Sequence, residues 1–115
     1  MTSDRMRRVD EAVRQVLTDA VAQDLQDPRI GFVTMTSVKT TPDLRHARVY
    51  VSVLGSAEQR EATLAGLASA HGALQRRLAR ELRLKRTPTL EFFYDDTTDR
   101  AMRLEQIIER EAREA

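Results

Sequence analysis

The chain has 115 residues, 41% hydrophobic and 32% charged, with a formal net charge of only +1. That length supports one domain with its own core, and the mixture excludes general disorder. It has no cysteine, which excludes disulfides, thiolate metal sites and cysteine nucleophiles. No apolar run reaches the length of a membrane span, and no apolar segment follows the basic N-terminus.

The first predicted element is a helix from about Asp4 to Leu25. Met6, Val9, Val13, Val16, Leu17, Ala20 and Val21 keep the helical period, and Thr2, Ser3 or Asp4 can cap its start. Arg5, Arg7, Arg8 and Arg14 on it form a minor basic patch diluted by Asp4, Asp10 and Glu11. Asp27-Pro28-Arg29 ends the helix in a turn, because proline lacks the backbone donor and disfavours helix in the residue before it. Arg29 is open to two uses, pairing with an acid or touching a polyanion.

Phe32 to Thr40, rich in β-branched residues, reads as a strand, and Thr41-Pro42-Asp43 as the turn into a second strand from Arg45 to Leu54. There Ala47, Val49, Val51 and Val53 alternate with His46, Arg48, Tyr50 and Ser52, so one face is apolar and the other polar. The polar set reads first as a solvated face, and second as a surface on which Tyr50 stacks a base and Arg48 meets phosphate. Ser56-Ala57-Glu58-Gln59 forms a capping box opening a long helix, interrupted near Gly72 and continuing to about Leu84. Thr87-Pro88 stops it. Thr89 to Tyr94 is a third strand, and Asp95 to Asp99 turn into a last helix marked by Met102, Ile107 and Ile108.

The order α-β-β-α-kink-α-β-α predicts an α+β fold: a three-stranded mixed sheet with helices over one face. A tight turn makes the first two strands antiparallel, and the long helical crossover makes the third parallel.

The charge is not spread evenly. Arg76, Arg77, Arg80, Arg83, Lys85 and Arg86 lie within eleven positions against one acid, Glu81; this stretch carries +5 and the remainder −4. On a helical wheel Leu74, Leu78 and Leu82 fall within roughly 80°, and Arg76, Arg80 and Arg83 within roughly 60° on the opposite side. Arg77 lies to one side, with Lys85 and Arg86 past the helix end. Like charges four apart cost an isolated helix about 0.2–0.5 kcal/mol, so an unmixed basic face points to a polyanion, RNA first, over a plain solvated face. The break at Ala70-His71-Gly72 either serves packing or exposes amides at which a phosphate docks. His71, near the apolar edge of its helix wheel, reads as a partly buried or capping residue rather than a base contact.

Enzymatic and metal readings find little to stand on. Asp95 and Asp96 are adjacent on a strand end, His46 and His71 are 25 residues apart, and no phosphate-loop or dinucleotide glycine pattern occurs. The chain reads as a non-enzyme without metal or cofactor.

Six stretches in order resemble the ribosome-binding factor A family, which has a KH-like fold of the second type. They are Asp27-Pro28-Arg29-Ile30-Gly31; Asp43-Leu44 with Ala47-Arg48-Val49-Tyr50-Val51; Ala70-His71-Gly72, matching an Ala-x-Gly kink; Leu82-Arg83-Leu84; Pro88; and Leu90-Glu91-Phe92-Phe93-Tyr94-Asp95. Gln75 stands where the family often has arginine, Ala101 where glycine is common, and the tail after Ile108 is short. The resemblance implies a single KH-like domain over 1–115 that binds the free 30S subunit and 16S rRNA as a cytoplasmic monomer. It further implies help with late maturation and 5′-end processing, above all in the cold, beside other assembly factors such as a GTPase. RNA-binding residues on this reading are Ala70, His71, Gly72, Arg76, Arg77, Arg80, Arg83, Lys85 and Arg86, with Arg5, Arg7, Arg8, Arg45 and Arg48 secondary. A KH-like module docking an acidic protein is the rival.

Overall fold

The computed structural model describes residues 3–96. Six elements follow in chain order: α1 (Asp4–Asp24), β1 (Val33–Thr40), β2 (His46–Val53), α2 (Ala57–Ser69), α3 (His71–Glu81) and β3 (Thr89–Tyr94). The expected last helix, with Met102, Ile107 and Ile108, lies outside the described residues.

Local chemistry sets the element ends. Ser3 caps α1, its Oγ accepting from Met6 N–H at 3.2 Å. Ser56 and Gln59 close the expected capping box on α2: Gln59 N–H donates to Ser56 Oγ at 3.2 Å, and Ser56 N–H to Gln59 Oε1 at 2.7 Å. The hairpin turn requires one unusual residue, Leu44, whose φ of 61° lies in the left-handed region. Its buried side chain holds it there against a steric cost of about 1–2 kcal/mol.

The sheet runs β1-β2-β3, antiparallel between the first pair and parallel between the second, as expected. The register shifts between Met35 and Ser37, and the Thr36 hydroxyl at that shift shares its one proton between Asp95 Oδ2 (2.7 Å) and Tyr50 carbonyl (3.1 Å). Ala47, Val49, Val51 and Val53 all face the helices and are buried with Met35, Val38 and Leu90. Val13, Val16, Leu17 and Ala20 of α1, Leu67 of α2, and Leu74 and Leu78 of α3 complete that core.

The helical crossover breaks within the expected Ala70-His71-Gly72 stretch, at Ala70 (φ −89°, ψ 3°), while Gly72 itself lies inside α3. One expectation is corrected. The second helix ends at Glu81 rather than near Leu84, because Leu82 is extended (φ −113°, ψ 127°). Extended backbone turns Leu82 and Leu84 inward together and sends Arg83 and Lys85 outward, a period of two that a helix cannot supply. Arg83 therefore leaves the helical face predicted to contain it.

Glycine also serves where periodicity did not show it. Gly66, buried in α2, faces the turn after α1; a Cβ there would stand 2.7 Å from Ile30 Cγ1. Thr63, one turn earlier and fully buried, donates to Arg29 carbonyl and accepts from Gly31 N–H, both at 3.2 Å. The Asp27-Pro28-Arg29-Ile30-Gly31 segment is thus fastened to α2 by hydrogen bonds and close packing.

Candidate nucleic-acid interface

The start of α3 has no side-chain cap, so its first amides are not satisfied by a neighbouring side chain. His71 serves the preceding helix instead: its exposed ring directs Nδ1 to Ala68 carbonyl at 2.8 Å, an acceptor that requires the proton on Nδ1. Gly72 is not a packing glycine. A Cβ there would meet only Arg76 Nη1, at 3.5 Å, so the missing side chain leaves open space beside a guanidinium. The uncapped helix start, the open glycine and the Arg76 guanidinium thus stand side by side. Gly72→Ala is expected to fold normally and gain up to about 1 kcal/mol in denaturant unfolding. Weakened binding of an RNA partner by that stabilised variant would mark close approach at Gly72.

The basic residues divide by environment. Arg76 and Arg80 are exposed on α3 and flank Ala73 and Ala79, with which they line a shallow groove reaching Asp24 at the end of α1. Arg77 is turned inward, its side chain 15% exposed. It donates from Nη1 to Asp24 (2.8 Å), from Nη2 to Gln23 (3.0 Å) and from Nε to Glu81. The Asp24 carboxylate, then that of Glu81, holds its guanidinium above the ordinary arginine value. Arg77 therefore braces α3 against the end of α1 and leaves Arg76 and Arg80 to solvent. Arg83, Lys85 and Arg86 are exposed in the following segment and extend the positive surface toward β3.

Gln75 faces neither group. Its Nε2 donates to Pro88 carbonyl at 2.9 Å, tying α3 to the entrance of β3. The departure from the family's usual arginine thus falls at a position directed to that loop, away from the Arg76–Arg80 surface.

The secondary candidates lie elsewhere. Arg5, Arg7 and Arg8 are exposed on the first turns of α1, roughly 25 Å along that helix from Asp24. Arg7 there reaches Asp4 at 3.9 Å. Arg45 pairs with Asp43 (3.6 Å), and its carbonyl accepts from Thr89 N–H (2.8 Å), which places it by the segment bearing Lys85 and Arg86. Arg48 is on the sheet face opposite the helices. Arg29 resolves to pairing: its guanidinium holds Asp27 through contacts of 2.6–3.2 Å, and these lower the carboxyl below its ordinary range.

These features coincide with a family-wide match. The family model of ribosome-binding factor A matches residues 5–108. The chain belongs to the ribosome-binding factor A family. A ribosome-binding factor A of Anaeromyxobacter sp. strain K is 49% identical over 113 residues, covering 97% of this chain and 81% of that protein. A solution structure of a Thermotoga maritima protein described as a ribosome binding factor A superposes with a TM-score of 0.72 at 35% identity, covering 81% of this chain and 89% of that one. A Thermus thermophilus ribosome binding factor A, fitted into a cryo-electron microscopy map of a 30S complex, gives a TM-score of 0.62 at 30% identity over 75% of this chain and 90% of that one. Within the family frame, the helix–break–helix unit of this chain is α2–Ala70–α3, and its open glycine is Gly72.

Among the described residues no group of histidine and carboxylate side chains is arranged to hold a metal ion. Asp95, adjacent to Asp96, accepts from Thr36 as a sheet-end tie.

Proposed function

We propose that this chain is a non-enzymatic assembly factor that binds the immature 30S subunit through 16S rRNA, with α3 as the contact element. The observation carrying this reading is the separation of roles on α3: Leu74 and Leu78 seat it, Arg77 braces it, and Arg76 and Arg80 are left exposed beside the open Gly72. Such a face contributes salt-dependent affinity through phosphates and is aimed by a rigid scaffold. Membership of the family and the 30S complex of the Thermus relative support the choice of partner.

The factor would hold one conformation of the precursor subunit by binding it better than the mature one, since only differential affinity shifts such an equilibrium. Assistance to late maturation and 5′-end processing of 16S rRNA, in the cytoplasm and above all in the cold, follows from the same reading. Arg83, Lys85 and Arg86 would prolong the phosphate track, with Arg45 beside it.

The test is cosedimentation. Arg76→Glu/Arg80→Glu should lose association with free small subunits at a salt concentration where the parent chain binds, with its thermal unfolding midpoint retained. Nuclease digestion should release the parent chain. Unaltered cosedimentation of the double variant would sink the assignment of this face, and association that survives digestion would give the interface to an acidic protein.

A further inference from the structure

We infer that the sheet face turned away from the helices is a second RNA-binding surface, on which an unstacked base lies against Tyr50 and Phe93 with its phosphate at Lys39 and Arg48. The inference rests on the reading that the partner is RNA and names a different surface for part of it. Tyr50 is paired with Ser37 on one side and Phe93 on the other, and in the adjacent row Arg48 is paired with Lys39 and Glu91. All of them point away from the buried Val49 and Val51.

The rings of Tyr50 and Phe93 lie 5.7 Å apart, tilted by 31°, and Phe93 remains 39% exposed. Shallow depressions flank the pair, one lined by Ser37 and Lys39 together with Asp95 and Asp96, the other by His46 and Arg48 together with Glu91. Lys39 and Arg48 face each other directly across the antiparallel pair, an arrangement of like charge that destabilises a sheet by itself. Glu91 stands on the far side of Arg48 and offsets only part of it. Rows two residues apart on a strand are separated by about 6.6 Å. That is the reach from a stacked base to its own phosphate, so aromatic and cationic rows suit one nucleotide. Farther along the same face, Phe32 and Leu54 are paired by Leu54 N–H donating to Phe32 carbonyl (3.1 Å), and both are largely exposed. Phe32 supplies a second ring for the next bases of an extended strand. An aromatic platform with neighbouring cations on an open sheet is a general solution for single-stranded RNA. An acidic peptide would satisfy the cations and leave the rings unused.

The test uses the full chain and a fluorescein-labelled eight-nucleotide oligouridylate, followed by anisotropy at fixed salt. Phe93→Ala should weaken binding about tenfold, within the worth of one base–aromatic stack, and Phe93→Trp should retain it. Lys39→Ala/Arg48→Ala should weaken binding and flatten its salt dependence. An iodouridine-substituted oligonucleotide should cross-link to Tyr50 or Phe93. Parental affinity in Phe93→Ala, cross-links confined to α3, or no binding of the oligonucleotide by the parent chain would each overturn the inference. Cosedimentation separates the two readings: if Phe93→Ala associates with subunits normally while Arg76→Glu/Arg80→Glu does not, only the sheet-face inference falls.

Discussion

Leu78→Ala is expected to lower the unfolding free energy by about 2–5 kcal/mol, the cost of truncating a fully buried leucine whose surroundings relax only in part. Leu78 is 1% exposed, in the core layer between α3 and the sheet. On α3 only one other leucine, Leu74, is buried. For a chain of this length such a loss lowers the thermal midpoint by roughly 10 °C or more. Circular dichroism melts would read it directly. The functional consequence differs from that of the charge reversal on the opposite side of the same helix. Leu78→Ala should lose subunit association in proportion to the unfolded fraction and recover it on cooling. Arg76→Glu/Arg80→Glu should lose association with an unchanged melt. A Leu78→Ala midpoint within a degree or two of the parent would contradict the seating of α3 described above.

Gly66→Ala is expected to destabilise by about 1–3 kcal/mol, against the direction helix propensity predicts. Propensity alone favours alanine in a helix interior by about 0.8–1 kcal/mol. At Gly66 the new Cβ would stand 2.7 Å from Ile30 Cγ1 and 3.4 Å from Asp27 Oδ2. Ile30 cannot withdraw freely, because Thr63 holds the backbone on both sides of it at Arg29 and Gly31. Overpacking therefore wins. The double variant Gly66→Ala/Ile30→Ala removes the clashing atom, and a cycle of urea midpoints should show a favourable coupling of about 0.5–3 kcal/mol. Additive costs would mean that Ile30 is not the obstacle. The same substitution six residues later, at Gly72, is expected to act in the opposite sense, so the two glycines of this helical pair have opposite roles.

That contrast shows how much of the molecule was legible in the sequence. Composition treats Gly66 and Gly72 alike, and the family resemblance singles out Gly72. Only the distance from each absent Cβ to its neighbours shows that Gly66 is the close-packing glycine and Gly72 the open one. The end of α3 is a similar case. Leu74, Leu78 and Leu82 keep a helical spacing, but Leu82 and Leu84 must both reach the core while the chain turns toward β3. Tertiary burial overrode local periodicity there, and Arg83 left the helical face as a result.

The basic block that the sequence made conspicuous was divided by its partners in space. Its net +5 is a property of composition, and so is the inference of a polyanion. Asp24 and Gln23 are over fifty residues from Arg77 in sequence, so no local pattern could show that this guanidinium braces two helices. Conversely, His46, Arg48 and Tyr50 alternated clearly in β2, but Phe93 and Lys39 joined them only through the register of two other strands.

By itself the sequence determined the order of elements, the mixed sheet, the apolar face of β2 and the helix caps, because each rests on period, turn chemistry or side chains within a few residues of one another. The tertiary structure decided where the crossover breaks, which arginines face solvent and what stands beside them. Those depend on contacts between residues far apart in the chain, where burial and ion pairing outweigh local preference.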